Sequence, residues 1–286
     1  MDYRDRSLLL RLIGVVLLLV GVAAAFFGPL EIYCFYLFSE GGSFHYDGFG
    51  FGSFMFGNLA VQILGYYLIA LVLVPLGYGH LKRRRWARPL SLTLLWFWLV
   101  VGLPLAVVFL FILFSSKELS PAAALSFVAA VALTYPLIPL LLIRFYRSAN
   151  VRLTLESTQP RPSWVEAYPV PVLVLACLLL FYIVVLHVPI LFRGILPLFG
   201  FWLTDQQGIV LIDLSILWLV LLTWGTLRFK IWAWWGALIY FGLLAISTVL
   251  TLAGSHYSDM LVLLGFPPTE IQFLQGIPLE LSLIHI

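Results

Sequence analysis

Long apolar runs alternate with short polar interruptions along the whole chain. Seven runs, at residues 8–27, 57–78, 90–114, 122–143, 169–191, 209–224 and 232–253, approach or exceed the roughly 20 residues an α-helix needs to cross a hydrocarbon layer about 30 Å thick. Each predicts a membrane-spanning helix. Pro75, Pro104, Pro136, Pro139 and Pro189 each remove a backbone hydrogen bond and predict bends in spans two to five. The first run carries one charge, Arg11, whose stem lets the guanidinium reach the membrane surface. Ala23-Ala24-Ala25 would suit signal-peptide cleavage, but the repeat described below requires this helix.

The interruptions differ in kind. Residues 28–56 hold Glu31, Glu40 and Asp47 but no Lys or Arg, and are dense in glycine and aromatics, which predicts an interfacial or partly re-entrant loop. Residues 192–208, with Arg193, Asp205, Gln206 and Gln207, are expected to form a plain outer loop. Residues 147–167, with Arg152, Arg161, Pro160 and Pro162, belong to the longest polar stretch and are expected to link two halves of the protein. Between spans two and three, Gly79-His80-Leu81-Lys82-Arg83-Arg84-Arg85-Trp86-Ala87-Arg88 places five cations in one turn.

That turn returns in weaker form. A shift of 146 residues superimposes Gly79, Leu81, Trp86 and Ala87 on Gly225, Leu227, Trp232 and Ala233, and sets Lys82 and Arg84 on Arg228 and Lys230. The expected fold is all-α: a polytopic transmembrane helix bundle of seven complete spans plus a truncated eighth, as two parallel four-helix repeats related by an axis along the membrane normal. Residues 1–146 would form the first unit and 168–280 the second, with the eighth span starting just after Glu270. Residues 281–286, Leu-Ser-Leu-Ile-His-Ile, read like the translation of a sequencing-library transposase end, so a gene fragment is expected and His285 carries no functional weight.

Charge orients the bundle. Moving Lys or Arg across hydrocarbon costs several kcal/mol, so these residues stay on the side of synthesis. Of 16 such residues, all but Lys117 and Arg193 fall at the amino terminus or in segments on one side. The anchors are Lys82, Arg83, Arg84, Arg85, Arg88, Arg144, Arg147, Arg228 and Lys230, and they predict an internal amino terminus, in a bacterial cytoplasmic membrane. Composition agrees: 63% hydrophobic and 10% charged, against about 45–50% and about 25% in a soluble domain. The net charge of +3 sits at helix ends, so no nucleic-acid partner is indicated. The bilayer is the expected partner, with anionic lipid at the basic turns worth about 1 kcal/mol per cation.

Candidate chemistry is sparse. Cys34 and Cys177 form no CxxC or Cys/His set, so no metal or redox motif is expected, and no cofactor. Asp213 is the only carboxylate within a run, about four residues or roughly 6 Å from its end. His187 lies near the same surface. Haem ligation there would need a second axial partner, and His80 belongs to the opposite face. Asn58 and Gln62 lie one helical turn apart in span two, while His45 and Asp47 offer only two ligands. The leading expectation is a non-enzymatic membrane component or accessory subunit. A small-solute transporter using Asp213, His187, Asn58 and Gln62 is the alternative, and a membrane-embedded enzyme the third.

Overall fold

A computed structural model describes residues 4–39, 41–44, 54–115, 120–255, 262–263 and 271. Among them are seven helices long and apolar enough to cross a membrane: Ser7–Phe38, Met55–Leu81, Ala87–Phe111, Pro121–Arg147, Val170–Leu191, Asp205–Leu227 and Ile231–Gly254. The chain is an integral membrane protein. The expected eighth span and the last six residues lie outside the described residues, apart from Ile271.

Helix α1 (Ser7–Phe38) begins two residues after Asp5. The Ser7 hydroxyl and backbone N–H both donate to the Asp5 carboxylate, at 2.7 and 2.9 Å, and hold that carboxyl below its ordinary range. At 32 residues α1 is roughly 48 Å long at 1.5 Å per residue, well beyond the hydrocarbon thickness. It therefore runs through Gly28 and Pro29, where a loop was expected, because Leu30–Phe38 remains almost wholly apolar and gives the helix no reason to stop. Residues 45–53, with His45 and Asp47, lie outside the described residues.

Helices α2 (Phe54–Leu81) and α3 (Ala87–Ser115) follow. The fourth span starts as α4 (Pro121–Ala132), capped by Ser120, and continues as α5 (Ile138–Arg147). Between them Leu133–Leu137 forms a π-turn. Pro136 lacks the N–H that would reach back to Ala132, and the extra residue of the wider turn absorbs the defect. The Trp98 indole donates to the Thr134 carbonyl there, at 3.3 Å.

The polar stretch 147–167 is folded. Ser148 caps α6 (Ala149–Thr158), and Ser163 with Glu166 makes a capping box on a single 3₁₀ turn, Trp164–Ala167. Then come α7 (Val170–Val185), the short α8 (Val188–Leu191), strands β1 (Leu196–Leu198) and β2 (Phe201–Leu203), α9 (Asp205–Leu227) and α10 (Ile231–Gly254). The antiparallel hairpin, register Leu198↔Phe201, makes the fold nearly rather than wholly helical. Its two-residue turn has positive φ at both Phe199 (44°) and Gly200 (95°), the conformation whose twist suits paired strands.

Two compact units divide the chain, one of residues 1–22 and 71–178, the other of 23–70 and 179–286. In the first, Leu10, Leu92, Leu99, Ile143, Tyr146, Val151 and Leu155 form the core, so α6 contributes buried side chains rather than a free linker. The backbone N–H groups of Arg4 and Arg6 donate to the side chains of Asn150 and Thr154. Helices α1 and α2 approach closely at Gly14 and Gly77, where an added Cβ would meet the facing backbone at 2.9–3.0 Å. In the second unit α9 buries Ile212, Leu219 and Leu222, with Leu222 against Gly236 of α10, and Tyr182 meets Phe241 edge-on at 4.7 Å.

Candidate functional site

The four polar residues singled out from the sequence do not converge by hydrogen bonding. Asn58 and Gln62 are half-buried on α2, while His187 and Asp213 are exposed on the protein surface. His187, between α7 and α8, directs Nδ1 at the Ile183 carbonyl, 2.7 Å away. No hydrogen bond or ion pair joins any two of the four. No group of three or more His, Cys, Asp or Glu that could share a metal ion occurs among the described residues.

Asp213 lies farther along its helix than its run of sequence suggested. Helix α9 starts at Asp205, not Ile209, because the Arg193–Asp205 ion pair (3.0 Å) and the bond from Asp205 N–H to the Arg193 carbonyl (2.6 Å) fix its first turn. Asp213 is thus eight residues in, roughly 12 Å along the axis. It shares a surface stripe with Val210, Leu214 and Leu217, all more than half exposed. Beside this stripe, Leu203, Gln206, Gln207, Val210, Leu211 and Leu214 line a shallow, open depression of about 490 Å³.

A tighter polar arrangement lies in the first unit. His80 is fully buried near the end of α2, with Nδ1 2.7 Å from the Leu76 carbonyl and Nε2 2.6 Å from the Tyr146 hydroxyl. A carbonyl only accepts, so the ring proton sits on Nδ1. In the neutral ring Nε2 then accepts from Tyr146. Ser91 Oγ lies 3.3 Å from the same nitrogen. The sequence offers no local signal for this cluster, whose members are 66 and 11 residues apart.

The cations of the first turn divide their tasks. Arg85 pins the following polar segment: Nε donates to Glu166 (3.1 Å), a terminal nitrogen donates to the Pro160 carbonyl (2.8 Å), and the guanidinium pairs with Glu166 and Glu156. Its backbone N–H also donates to Gln159. Arg88 donates to the Tyr146 carbonyl at 2.8 Å. Lys82 and Arg84 remain exposed, as do Arg144, Arg147, Arg228 and Lys230.

The two basic turns share one backbone pattern. Arg83 and Phe229 have φ of 51° and 54°. The N–H groups of Arg83 and Arg84 donate to His80 and Gly79, at 3.0 and 2.7 Å, as those of Phe229 and Lys230 donate to Thr226 and Gly225, at 3.0 and 2.9 Å. A Cβ on Gly79 would strike the Trp86 ring at 2.6 Å, and one on Gly225 the Trp232 ring at 2.7 Å. Thr226 occupies the place of His80, and its buried hydroxyl has no hydrogen-bond partner.

The third polar device is a hydroxyl ladder on α10. Ser247 Oγ accepts from Phe199 N–H and donates to the Pro197 carbonyl, while Thr251 accepts from Gly200 N–H and Ser255 from the Trp202 indole. All four contacts measure 2.7–2.9 Å.

No protein-family model, curated protein or solved structure matches this chain.

What these arrangements do chemically is hold backbone together. His80–Tyr146–Ser91, the Arg85 clamp and the ladder join segments distant in sequence. Asp213 differs: it is an ionisable side chain on an apolar helix surface without a hydrogen bond or ion pair of its own.

Proposed function

We propose that the protein is a non-enzymatic membrane component that associates with a partner membrane helix through the face of α9 bearing Asp213. The observation that carries this reading is the exposed carboxylate roughly 12 Å along an apolar helix. A charge on a membrane-spanning helix is costly facing lipid, and the cost falls when a facing helix supplies Arg, Lys, His or a hydroxyl or amide donor. The neighbouring Val210, Leu214 and Leu217 supply the apolar contact around it.

The matched turns at Gly79–Trp86 and Gly225–Trp232 support a duplicated unit, since sequence identities and backbone hydrogen bonds recur at the same shift. In this reading both turns lie on the cytoplasmic side of a bacterial inner membrane, the amino terminus is internal, and exposed Lys82, Arg84, Arg228 and Lys230 meet anionic headgroups. A small-solute transporter is the second reading, favoured by the π-turn around Pro136, a break in the fourth span where a bend can act. Substrate flux in proteoliposomes that Pro136→Ala reduces would move the balance to it.

The decisive experiment places a photo-crosslinking residue at Val210 or Leu217 in native membranes. Both positions should give the same discrete protein adduct, lost in Asp213→Leu and lost again when the basic or donor residue of the adducted helix is replaced. Adducts to lipid alone, or a protein adduct undiminished in Asp213→Leu, overturn the reading.

A further inference from the structure

The segment between α8 and α9 folds back against α10, a candidate membrane span. Arg193 and Asp205 pair at its base, and between them Gly194-Ile-Leu-Pro-Leu-Phe-Gly-Phe-Trp-Leu-Thr204 carries no charge. The hairpin of β1 and β2 lies along the last turns of α10, its Trp202 ring bonded at Ser255 and its tip at Thr251 and Ser247. Ser247 is seven residues before the end of α10 at Gly254, roughly 10 Å along the axis. At the other end of α10, Trp232, Trp234 and Trp235 are exposed where an aromatic belt belongs. Counting about 20 residues from Trp235 to cross the hydrocarbon puts the far boundary near Ser255, with Ser247 well inside it.

Two features fit such a depth and would be unneeded in water. Backbone groups within hydrocarbon must find protein partners, and the ladder supplies them: Ser247 and Thr251 accept the tip N–H groups, and Ser247 donates to Pro197. Each hydroxyl is fully used, because Thr251 also donates to the Ser247 carbonyl and Ser255 to that of Thr251. The other feature is the surface turned away from α10. Phe201 is 73% exposed and Phe199 46%, a large apolar area for a loop in water.

We propose that this hairpin is re-entrant, with its tip in the leaflet at the Gly254 end of α10 and with lipid acyl chains as the partner of Phe199 and Phe201. The ladder makes the insertion feasible and the Arg193–Asp205 pair marks where the chain leaves the headgroups.

The test uses the full chain in phosphatidylcholine–phosphatidylglycerol vesicles, in a background with Cys34→Ser and Cys177→Ala. A polarity-sensitive fluorophore is attached at Phe199→Cys or Phe201→Cys, with Gln207→Cys as reference. Nitroxides on lipid acyl chains should quench the 199 and 201 labels several-fold more than aqueous iodide does, with the reverse at 207. Adding Ser247→Ala and Thr251→Val should raise the reaction of Phe199→Cys with a membrane-impermeant thiol reagent by about tenfold, in protein that still elutes as a single folded species. Iodide quenching at 199 and 201 equal to that at 207 overturns the proposal, and so does a ladder variant that folds and leaves the reaction rate unchanged.

Discussion

Tyr146 puts a hydroxyl at the one place where the fully buried His80 needs a donor. Replacing it with phenylalanine keeps the edge-on ring contacts with His80 and Phe145, so the change isolates the hydrogen bond. Nε2 then retains only the longer approach of Ser91 at 3.3 Å. We expect Tyr146→Phe to lower unfolding free energy in micelles by about 1 kcal/mol, the ordinary worth of a hydrogen bond between membrane helices, with about 2 as the ceiling. His80→Phe together with Tyr146→Phe should cost less than the two single changes summed, because the second removes a partner already lost. Strict additivity in titrations with denaturing detergent would show that the bond does not stabilise the fold. His80 was legible only as the neighbour of five cations, since pairing across 66 residues leaves no local pattern. Asp213 was legible as the lone acid within a span. Its distance from the helix start was not, because four polar or small residues at the start of α9 disguise a helix that an ion pair begins early.

At the scale of elements, Arg85 decides whether residues 147–167 behave as a linker or as part of a folded unit. Its side chain is 15% exposed and holds Glu166, Glu156 and the Pro160 carbonyl together, so the cluster resists solvent better than a surface pair. Arg85→Ala should destabilise the first unit by roughly 1–3 kcal/mol and open residues 159–163 to limited proteolysis. Arg85→Lys should rescue little, because an ammonium cannot span Glu166 and Pro160 from one planar fork. Equal cleavage of Arg85→Lys and the parent protein would dismiss the clamp. Composition alone gave the stretch its polar character. The caps at Ser148 and at Ser163 with Glu166 were there to be read, but burial of Val151 and Leu155 against Leu10 depends on contacts across the unit. The hairpin escaped for another reason: an apolar segment too short to span reads as a loop unless the hydroxyls that receive it are known.

For the whole molecule, the spans were legible because bilayer thickness imposes a length and hydropathy that no other constraint imitates, and each predicted run overlaps one long helix, although Ser7–Phe38 and Asp205–Leu227 extend well past theirs. Orientation needs one more step. Between the turn at Gly79–Trp86 and the turn at Gly225–Trp232 lie four candidate spans: Ala87–Phe111, Pro121–Arg147, Val170–Leu191 and Asp205–Leu227. If all four cross, an even number returns the chain to its starting side, and the cations of both turns share one surface. Single cysteines replacing Arg84 and Arg228, in a background without Cys34 and Cys177, should then react with a membrane-impermeant thiol reagent only after cells are permeabilised. Gln207→Cys, one crossing from Arg228, should react in intact cells. Both turns labelling in intact cells would invert the protein and overturn the charge argument, because nearly all its Lys and Arg would then have crossed the membrane. Labelling of the two turns from opposite sides would mean that one of the four spans fails to cross. Val170–Leu191 would be the first to test, because regular helix breaks there at Leu186 and His187.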